Sequence, residues 1–275
     1  MTKNSSGGVT LGFIGTGNMG GALARAACRT LPPDQVFLSN RSAEKAKALA
    51  EELGCIAAAD NATVAESADF IFLGVKPQMM ADMLADIAPT LAGRKSRFVL
   101  VNMAAGLSIA DIRSMAGGDY PVIRIMPNTP ASIGEGMILY ACGPDITEEE
   151  TALFLDAMAG AGRFSRLPER LIDAGSAVSG CGPAFVDLFL EALADGGVAC
   201  GLPRAQAMEL AAQMVMGSAR LALESGSHPG VLKDAVCSPG GTTIQGVRIL
   251  EERGFRAAAM DAVIAAYEKT LALGK

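Results

Sequence analysis

The sequence has few of the residues that usually build metal centres, disulfide frameworks and acid–base relays. It contains one histidine, His228, and no tryptophan among its 275 residues. Its six cysteines form no Cys-x-x-Cys pair, so neither a metal site nor a disulfide framework is expected, and reduced thiols in the cytoplasm are the simplest interpretation. His228 lies in a Gly-Ser-His-Pro segment, where we expect a structural role in a turn.

Strong positive charge and long apolar runs are also missing. The 23 Lys and Arg residues against 29 Asp and Glu residues leave a net charge of −6. Because the basic residues are also scattered, neither nucleic acid nor an acidic membrane surface is expected as a partner. No run reaches the roughly 20 uninterrupted apolar residues of a membrane span. Segment 1–8 is polar and lacks the apolar core of a signal peptide, so we expect a cytoplasmic protein.

Short apolar runs alternate with helical patterns in the first part of the chain. Predicted strands cover 9–14, 36–38, 70–75, 98–103 and 122–126. An amphipathic helix is predicted over Ala43–Leu53, and capping boxes at Ser108/Asp111 and Thr147/Glu150 begin two more. This α/β order is typical of a Rossmann-type doubly wound parallel sheet, and we assign residues 1–166 to a dinucleotide-binding domain.

From residue 167 the pattern is helical throughout. Helices are predicted over 169–176, 183–199, 204–225, 230–236, 244–253 and 255–273. The segments 183–199 and 204–223 are apolar around most of their circumference, so they require burial on several sides. About 110 residues of helix do not provide that burial alone. The sequence therefore predicts that 167–275 is a helical substrate-binding and dimerisation domain with an extensive homodimer interface.

The motif Gly15-x-Gly17-x-x-Gly20 follows the first predicted strand and opens a helix. In that context it predicts a dinucleotide site. Gly15 would form the tight turn, Gly17 would let a pyrophosphate approach, and Gly20 would permit close packing of helix on sheet. A glycine turn without a ligand is the alternative.

The segment Ser39-Asn40-Arg41-Ser42 lies where an NAD site usually has a carboxylate, and here the first carboxylate is Glu44. Arg41 with neighbouring hydroxyl and amide donors suits a 2′-phosphate, so NADP(H) is predicted as the preferred cofactor, with NAD(H) also usable. A solvated arginine at a helix start is the alternative.

Two further turns close predicted strands. Lys76-Pro77 follows the strand 70–75, and Ala104-Ala105-Gly106 follows the strand 98–103. Because ligands of open α/β sheets bind at the carboxyl ends of strands, both turns are expected to line the nicotinamide path. Helix initiation by Pro77 with a solvated Lys76 is the alternative.

The segment Ser238-Pro239-Gly240-Gly241-Thr242-Thr243 lies between two predicted helices. Its glycines allow a ligand to approach the backbone, and the free amides of the second helix can bind an anion. With the two threonine hydroxyls, the loop is suited to a small carboxylate. A simple helix N-cap loop is the alternative.

Together these segments resemble the pyrroline-5-carboxylate reductases over essentially the whole chain. The resemblance is carried by Gly15–Gly20, Gly74–Pro77, Arg124–Pro130, Ser179–Pro183 and Lys233–Thr243, of which the last is the most specific. Such enzymes reduce the cyclic imine 1-pyrroline-5-carboxylate to L-proline with NAD(P)H, usually favouring NADPH. The resemblance implies a Rossmann domain followed by a helical domain that forms an intertwined dimer, often assembled into decamers.

By position, the resemblance implies two groups of site residues. The cofactor contacts are Ile14, Gly15, Thr16, Gly17, Asn18, Met19, Ser39, Asn40, Arg41, Asn61, Gly74, Val75, Lys76, Pro77, Met103, Ala104 and Ala105. The substrate contacts are Glu169, Ser238, Gly240, Gly241, Thr242 and Thr243. Two positions depart from the family pattern: Cys181 replaces a common second serine, and Ala235 an asparagine of some members.

The expected chemistry agrees with these residues. A protonated imine is already an electrophile, so hydride transfer needs positioning more than a strong acid. The amides around Gly240–Thr242 are assigned to the substrate carboxylate, and the Thr243 hydroxyl, as the catalytic group, to the ring nitrogen.

Two other functions stay open on the sequence. A 3-hydroxyacid dehydrogenase needs a base, commonly a lysine of the second domain, and the lysines after residue 166 are Lys233, Lys269 and Lys275. A sensor that binds NADPH without turnover is the other. Oxidation of NADPH in the presence of pyrroline-5-carboxylate separates the three functions.

Overall fold

The computed structural model describes residues 8–273, which divide into two compact units. The first unit contains the chain up to Gly180 together with the part from Tyr267 onward, and the second is Cys181–Ala266. The domain boundary predicted at residue 166 stays a prediction.

One sheet organises the first unit. In the described residues it has eight strands in the order β3-β2-β1-β4-β5-β6-β7-β8. The strands are β1 Leu11–Ile14, β2 Val36–Ser39, β3 Ile56–Ala57, β4 Phe70–Leu73, β5 Val99–Asn102, β6 Val122–Met126, β7 Gly136–Cys142 and β8 Gly162–Arg166. The doubly wound Rossmann-type order is confirmed, and the strands predicted from apolar runs are β1, β2, β4, β5 and β6.

The five predicted strands pair in parallel, and the described sheet departs from the parallel arrangement at one edge strand pair. β7 runs antiparallel to β6, and β8 runs parallel to β7. The connection from Met126 to Gly136 holds only a 3₁₀ turn, which is too short for the crossover that a parallel strand requires. β3 and β8 were not predicted because β3 has two residues and β8 mixes polar with apolar residues.

Helices cover both faces of the sheet. They are α1 Asn18–Ala27, α2 Ala43–Leu53, α3 Asn61–Ser67, α4 Met80–Gly93, α5 Ile109–Ala116, α6 Glu148–Ala157 and α7 Ile172–Ser179. Side chains alternate between two cores. In β4, for example, Phe70 and Phe72 join the core that includes α1, while Ile71 and Leu73 join the core that includes α4. Burial on both faces is the reason why these strands are continuously apolar.

Both predicted capping boxes form. Ser108 Oγ accepts a hydrogen bond from the Asp111 amide at 3.1 Å. At the start of α6, Thr147 Oγ1 accepts from the Glu150 amide at 3.1 Å and Glu150 accepts from the Thr147 amide at 2.9 Å. Glu150 also binds Arg97, whose Nε lies 2.7 Å from its Oε1.

Replacing Glu150 is expected to make the free energy of unfolding less dependent on pH in the acidic range. Burial raises the pKa of Glu150, but hydrogen bonds from Arg97 and Thr147 outweigh this and hold the pKa below its ordinary value. Stability from a lowered carboxyl pKa is present above the unfolded value, about 4.3, and is lost as the pH falls through the folded value. We expect Glu150→Gln to cost about 1–3 kcal/mol at pH 7.

Urea unfolding at neutral and at acidic pH measures the difference in unfolding free energy between the wild type and Glu150→Gln. This difference should narrow as the pH falls below about 4. The control is Glu148→Gln in the same helix turn, because the Glu148 side chain is 80% exposed in its pair with Arg166. This control should change stability by about 0.5 kcal/mol or less. Equal losses in the two variants would contradict the role of Glu150.

The second unit is helical, as predicted. Its helices are α8 Gly182–Ala199, α9 Arg204–Ser225, α10 Pro229–Ala235 and α11 Thr242–Glu252, and α12 Phe255–Leu273 begins in it. Large side chains of α8 and α9 are exposed, namely Val186, Leu188, Met208, Leu210, Met214, Met216, Leu221 and Leu223. Among the described residues of this unit, the buried hydrophobic ones are the alanines 194, 207 and 211. A unit with so little core needs a further surface to cover it.

The stretch Glu169–Ala199 is long and apolar enough to cross a membrane by length and composition. Its most apolar window has a mean hydropathy of 1.4, and 11% of that window is buried within one chain. Charged residues and glycines interrupt it, for instance Gly182 and Asp187. Packing of these apolar side chains against a second protein surface explains the composition of this stretch without a membrane.

Candidate cofactor and substrate sites

The glycine turn after β1 brings the ends of three strands together. Gly15 has φ +96°, which favours glycine, and its amide donates to Ser39 O at the end of β2 at 2.9 Å. The Gly74 amide, directly after β4, donates to Ile14 O at 2.7 Å. A Cβ added to Gly15 would lie 2.5 Å from Gly74 O. Four predicted cofactor residues therefore lie together at the carboxyl ends of these strands, namely Ile14, Gly15, Ser39 and Gly74.

The first turn of α1 is open to a ligand. Its N-cap, Gly17, provides no side-chain cap, and a Cβ on Gly17 would meet no atom within 4 Å. The neighbouring Thr16 Oγ1 is buried and has no hydrogen-bond partner among the described residues. Free amides, open space and an unpartnered hydroxyl are suited to a phosphate group. Asn18 and Met19 are the first two residues of this helix.

Close packing holds that turn in place. A Cβ added to Gly20 would lie 2.1 Å from Gly15 O. The helix can approach the strand only because residue 20 lacks a side chain, as predicted from the motif.

The end of β2 carries the residues predicted to select the cofactor. Ser39 is buried and its Oγ donates to Asn61 Oδ1 at 2.8 Å. Arg41 is exposed and its Nη1 lies 4.0 Å from Met79 Sδ. Asn40 donates to Ser42 O at 3.3 Å, within the same turn. The structure thus places an exposed guanidinium, in contact with Met79, beside a polar strand end.

The two predicted nicotinamide turns follow neighbouring strands. β4 and β5 pair in parallel with Leu73 opposite Asn102. After β4 come Val75 and the exposed Lys76, and Pro77 begins a 3₁₀ turn. After β5 come half-buried Met103, buried Ala104 and exposed Ala105. Pro77 therefore does initiate a helical turn, which is compatible with either interpretation of Lys76-Pro77.

Asn102 was not among the residues predicted from the sequence. It is fully buried, accepts from the Ala104 amide at 2.9 Å and donates to Leu107 O at 2.8 Å. A polar residue at the end of the apolar run Val99–Val101 was the available signal.

The Ser238–Thr243 loop lies in the second unit. The Gly241 amide donates to Ser238 O at 3.0 Å, and Gly240 has φ +70°. α11 begins at Thr242, not at residue 244 as predicted, because Gly241 serves as its N-cap. In the part of the chain that the structure describes, no side chain caps this helix, so the amides of its first turn stay available for an anion. Thr242 and Thr243 are both exposed.

Glu169 lies in the first unit, where its carboxylate has partners. It accepts from the Ile109 amide at 2.7 Å and lies 3.8 Å from Arg124 Nη1. Arg124 is buried in β6 and its Nη2 lies 2.5 Å from Asp173 Oδ1. The carboxylate of Glu169 therefore helps to hold the start of α5. Its predicted contact with the substrate stays a prediction.

His228 has a structural contact, as expected. It is the N-cap of α10, and its Nδ1 accepts from the Gly230 amide at 3.1 Å.

Comparisons with known proteins agree over nearly the whole chain. The family model "Pyrroline-5-carboxylate reductase dimerisation" matches residues 169–273, and "NADP oxidoreductase coenzyme F420-dependent" matches residues 10–106. The pyrroline-5-carboxylate reductase of Escherichia coli is 43% identical over 267 residues, which cover 96% of this chain and 98% of that protein. That of Glycine max is 41% identical over 263 residues, covering 95% and 94%.

Solved structures give the same result. A Plasmodium falciparum pyrroline carboxylate reductase with NADP bound superposes with a TM-score of 0.85 at 32% identity, covering 97% of this chain and 98% of that one. A pyrroline-5-carboxylate reductase from Coxiella burnetii has a TM-score of 0.88 at 30% identity, covering 98% and 100%. The chain therefore belongs to the pyrroline-5-carboxylate reductase family, the oxidoreductases that catalyse the final step of proline biosynthesis.

Proposed function

We propose that the chain reduces 1-pyrroline-5-carboxylate to L-proline, with NADPH preferred over NADH as hydride donor. The observation that carries this proposal is the uncapped first turn of α11, with two exposed threonine hydroxyls, in a chain of this family. The test is NADPH oxidation by the purified protein with pyrroline-5-carboxylate. A 3-hydroxyacid dehydrogenase would instead turn over hydroxy acids, and a sensor would bind NADPH without turnover.

The first unit is proposed to hold the cofactor. Within residues 8–273, Thr16 Oγ1 is buried without a hydrogen-bond partner and Gly17 faces open space, as a site for a pyrophosphate requires. The NADP-bound relative from Plasmodium falciparum and the NADP oxidoreductase family model support the same use. When bound, NADPH supplies the hydride. Residues Ile14–Met19, Ser39–Arg41, Asn61, Gly74–Pro77 and Met103–Ala105 are proposed to hold it.

Arg41→Ala is expected to remove the preference for NADPH. A charge-assisted hydrogen bond to the 2′-phosphate contributes about 1.5–3 kcal/mol. We therefore expect kcat/KM with NADPH to fall about 10- to 100-fold, because each tenfold corresponds to about 1.4 kcal/mol. The value with NADH, which lacks this phosphate, should stay within about twofold.

Steady-state kinetics with both cofactors measure this, and Arg25→Ala is the control. Arg25 pairs with Glu52 at 2.7 Å in the last turn of α1, at the end away from the glycine turn. Its replacement should therefore change kcat/KM with neither cofactor. Equal losses with NADPH and NADH, or a wild-type protein that prefers NADH, would contradict the role of Arg41.

The second unit is proposed to hold the substrate. The amides near Gly240, Gly241 and Thr242 bind its carboxylate, assisted by Ser238, and the Thr243 hydroxyl contacts the ring nitrogen. Because a protonated imine needs no strong acid, one positioned hydroxyl is sufficient. His228 already uses Nδ1 to cap α10, which agrees with a mechanism without histidine.

We further propose that the protein is a homodimer through α8 and α9. The match to the dimerisation model and the exposed apolar side chains of these helices support it. The decamer implied by the resemblance, the cytoplasmic location and the absence of nucleic-acid and membrane partners stay predictions. Light scattering on the purified protein tests the dimer, and a monodisperse monomer would contradict it.

A further inference from the structure

We propose that Asn102 is a positioning residue that sets the shape of the 103–107 loop, the segment Met103–Leu107. The inference rests on the proposed function, because Met103–Ala105 are proposed cofactor contacts. Asn102 ends β5 and is fully buried. Its Oδ1 accepts from the Ala104 amide at 2.9 Å, and its Nδ2 donates to Leu107 O at 2.8 Å. One side chain therefore binds both ends of the loop.

The loop has little other hydrogen bonding to hold it. In the described part of the chain, the turn and loop bonds between backbone groups include none from residues 103–107. Gly106 has φ +75°, a conformation that costs other residues energy. Packing holds Ala104 in the core, but Ala105 is exposed. The side chain of Asn102 is consequently the main polar restraint on the direction of Met103–Ala105.

Only an amide satisfies both partners. Aspartate has the same shape and can accept from Ala104, but its second oxygen would face Leu107 O and repel it. Leucine fills similar volume and satisfies neither group. The buried groups left unpaired would then move the loop or gain water, since an unsatisfied buried polar group is costly.

The consequence concerns the reacting end of the cofactor. The 103–107 loop follows β5 at the carboxyl edge of the sheet, beside the Gly74–Pro77 turn that follows β4. Ligands of such sheets bind at this edge. A displacement of roughly 1 Å in a positioning element reduces turnover on the order of 100-fold. Asn102 thus contributes to hydride transfer by acting through the loop.

The test uses Asn102→Asp and Asn102→Leu in the full-length protein. In free protein, hydrogen exchange should become faster in the peptide that contains 103–107. The dissociation constant for NADPH should rise on the order of 10-fold, while that for adenosine 2′,5′-bisphosphate, which lacks the nicotinamide, stays unchanged. kcat should fall on the order of 10- to 100-fold, with a larger primary isotope effect from 4-deuterated NADPH. A partly unfolded preparation would lower kcat without changing the isotope effect.

The matched control is Asn128→Asp. Asn128 is 8% exposed, accepts from the Met137 amide at 2.9 Å and donates to Ser179 O at 3.0 Å. Its side chain therefore makes the same pair of hydrogen bonds, one accepted and one donated, outside the 103–107 loop. It should lower thermal stability without changing exchange in 103–107. If the Asp and Leu variants yield no folded protein, Asn102→Ser, which keeps an acceptor for Ala104, should give a smaller effect in the same direction.

Two results would overturn the inference. One is NADPH binding, loop exchange and isotope effect within twofold of wild type in the folded Asn102 variants. The other is reproduction of their changes by Asn128→Asp. Failure of the wild type to reduce pyrroline-5-carboxylate would refute the proposed function separately, because loop exchange and NADPH binding do not depend on that substrate.

Discussion

Gly20→Ala is expected to abolish NADPH binding and to lower stability by roughly 3 kcal/mol or more. The added Cβ would lie 2.1 Å from Gly15 O, far inside van der Waals contact. Gly15 O cannot move aside easily, because it is a backbone atom of the turn that joins β1 to α1. The helix must move away from the sheet, and its first-turn amides then lose the position that a pyrophosphate needs. Calorimetry with NADPH and urea unfolding measure the two effects.

Gly17→Ala is the matched control, in the same turn and with the same added methyl group. A Cβ at Gly17 meets no protein atom within 4 Å, and its φ of −68° suits any residue. Stability should therefore change by about 1 kcal/mol or less. NADPH affinity should still fall on the order of 10-fold, because the methyl group occupies space through which the pyrophosphate approaches. A Gly20→Ala protein with wild-type stability, or a Gly17→Ala protein with wild-type affinity, would contradict this account.

Thr243→Val is expected to lower kcat/KM for pyrroline-5-carboxylate about 10- to 100-fold, corresponding to roughly 1–3 kcal/mol. Valine keeps the branched shape and removes the hydroxyl proposed to contact the ring nitrogen. Because Thr243 is exposed in the first turn of α11, the fold should be unaffected. NADPH binding should also be unchanged. Kinetics with varied imine and saturating NADPH measure the effect.

Thr243→Ser restores a hydroxyl and should recover most of the lost activity. Recovery would assign the effect to the hydroxyl and not to the shape of the side chain. Wild-type kinetics in Thr243→Val would refute the catalytic assignment. The same result would leave the carboxylate site at the α11 amides untouched, since those are backbone groups.

Much of the fold could be predicted where the signal is local. α2 and α9 begin and end at the predicted residues, Ala43–Leu53 and Arg204–Ser225, because helical period, caps and glycine stops all lie within each segment. β7 could not be predicted in the same way. Its direction depends on pairing with β6, and Ile125 meets Tyr140 only after the chain has turned back through a short 3₁₀ segment.

The candidate site divides in the same manner. The glycine motif, Arg41 and the Ser238–Thr243 segment are contiguous in sequence, so their residue types indicated phosphate, 2′-phosphate and carboxylate chemistry. Asn102 and Glu169 could not be interpreted alone. The partners of Asn102 depend on how the following loop bends, and the Ile109 amide that Glu169 accepts from lies 60 residues away.

By itself, the sequence determined the alternation of helices with five of the strands, the nucleotide turn, the scarcity of histidine and the resemblance to pyrroline-5-carboxylate reductases. These properties depend on periodicity and on contiguous motifs. Only the tertiary structure decided which polar groups already have hydrogen-bond partners and which backbone segments pack against each other. Gly15 and Gly74 approach each other from separate strands, α11 begins uncapped at Thr242, and Asn102 closes its loop. The physical reason is that hydrogen bonding and burial are satisfied between segments distant in the chain, and sequence spacing does not specify those distances.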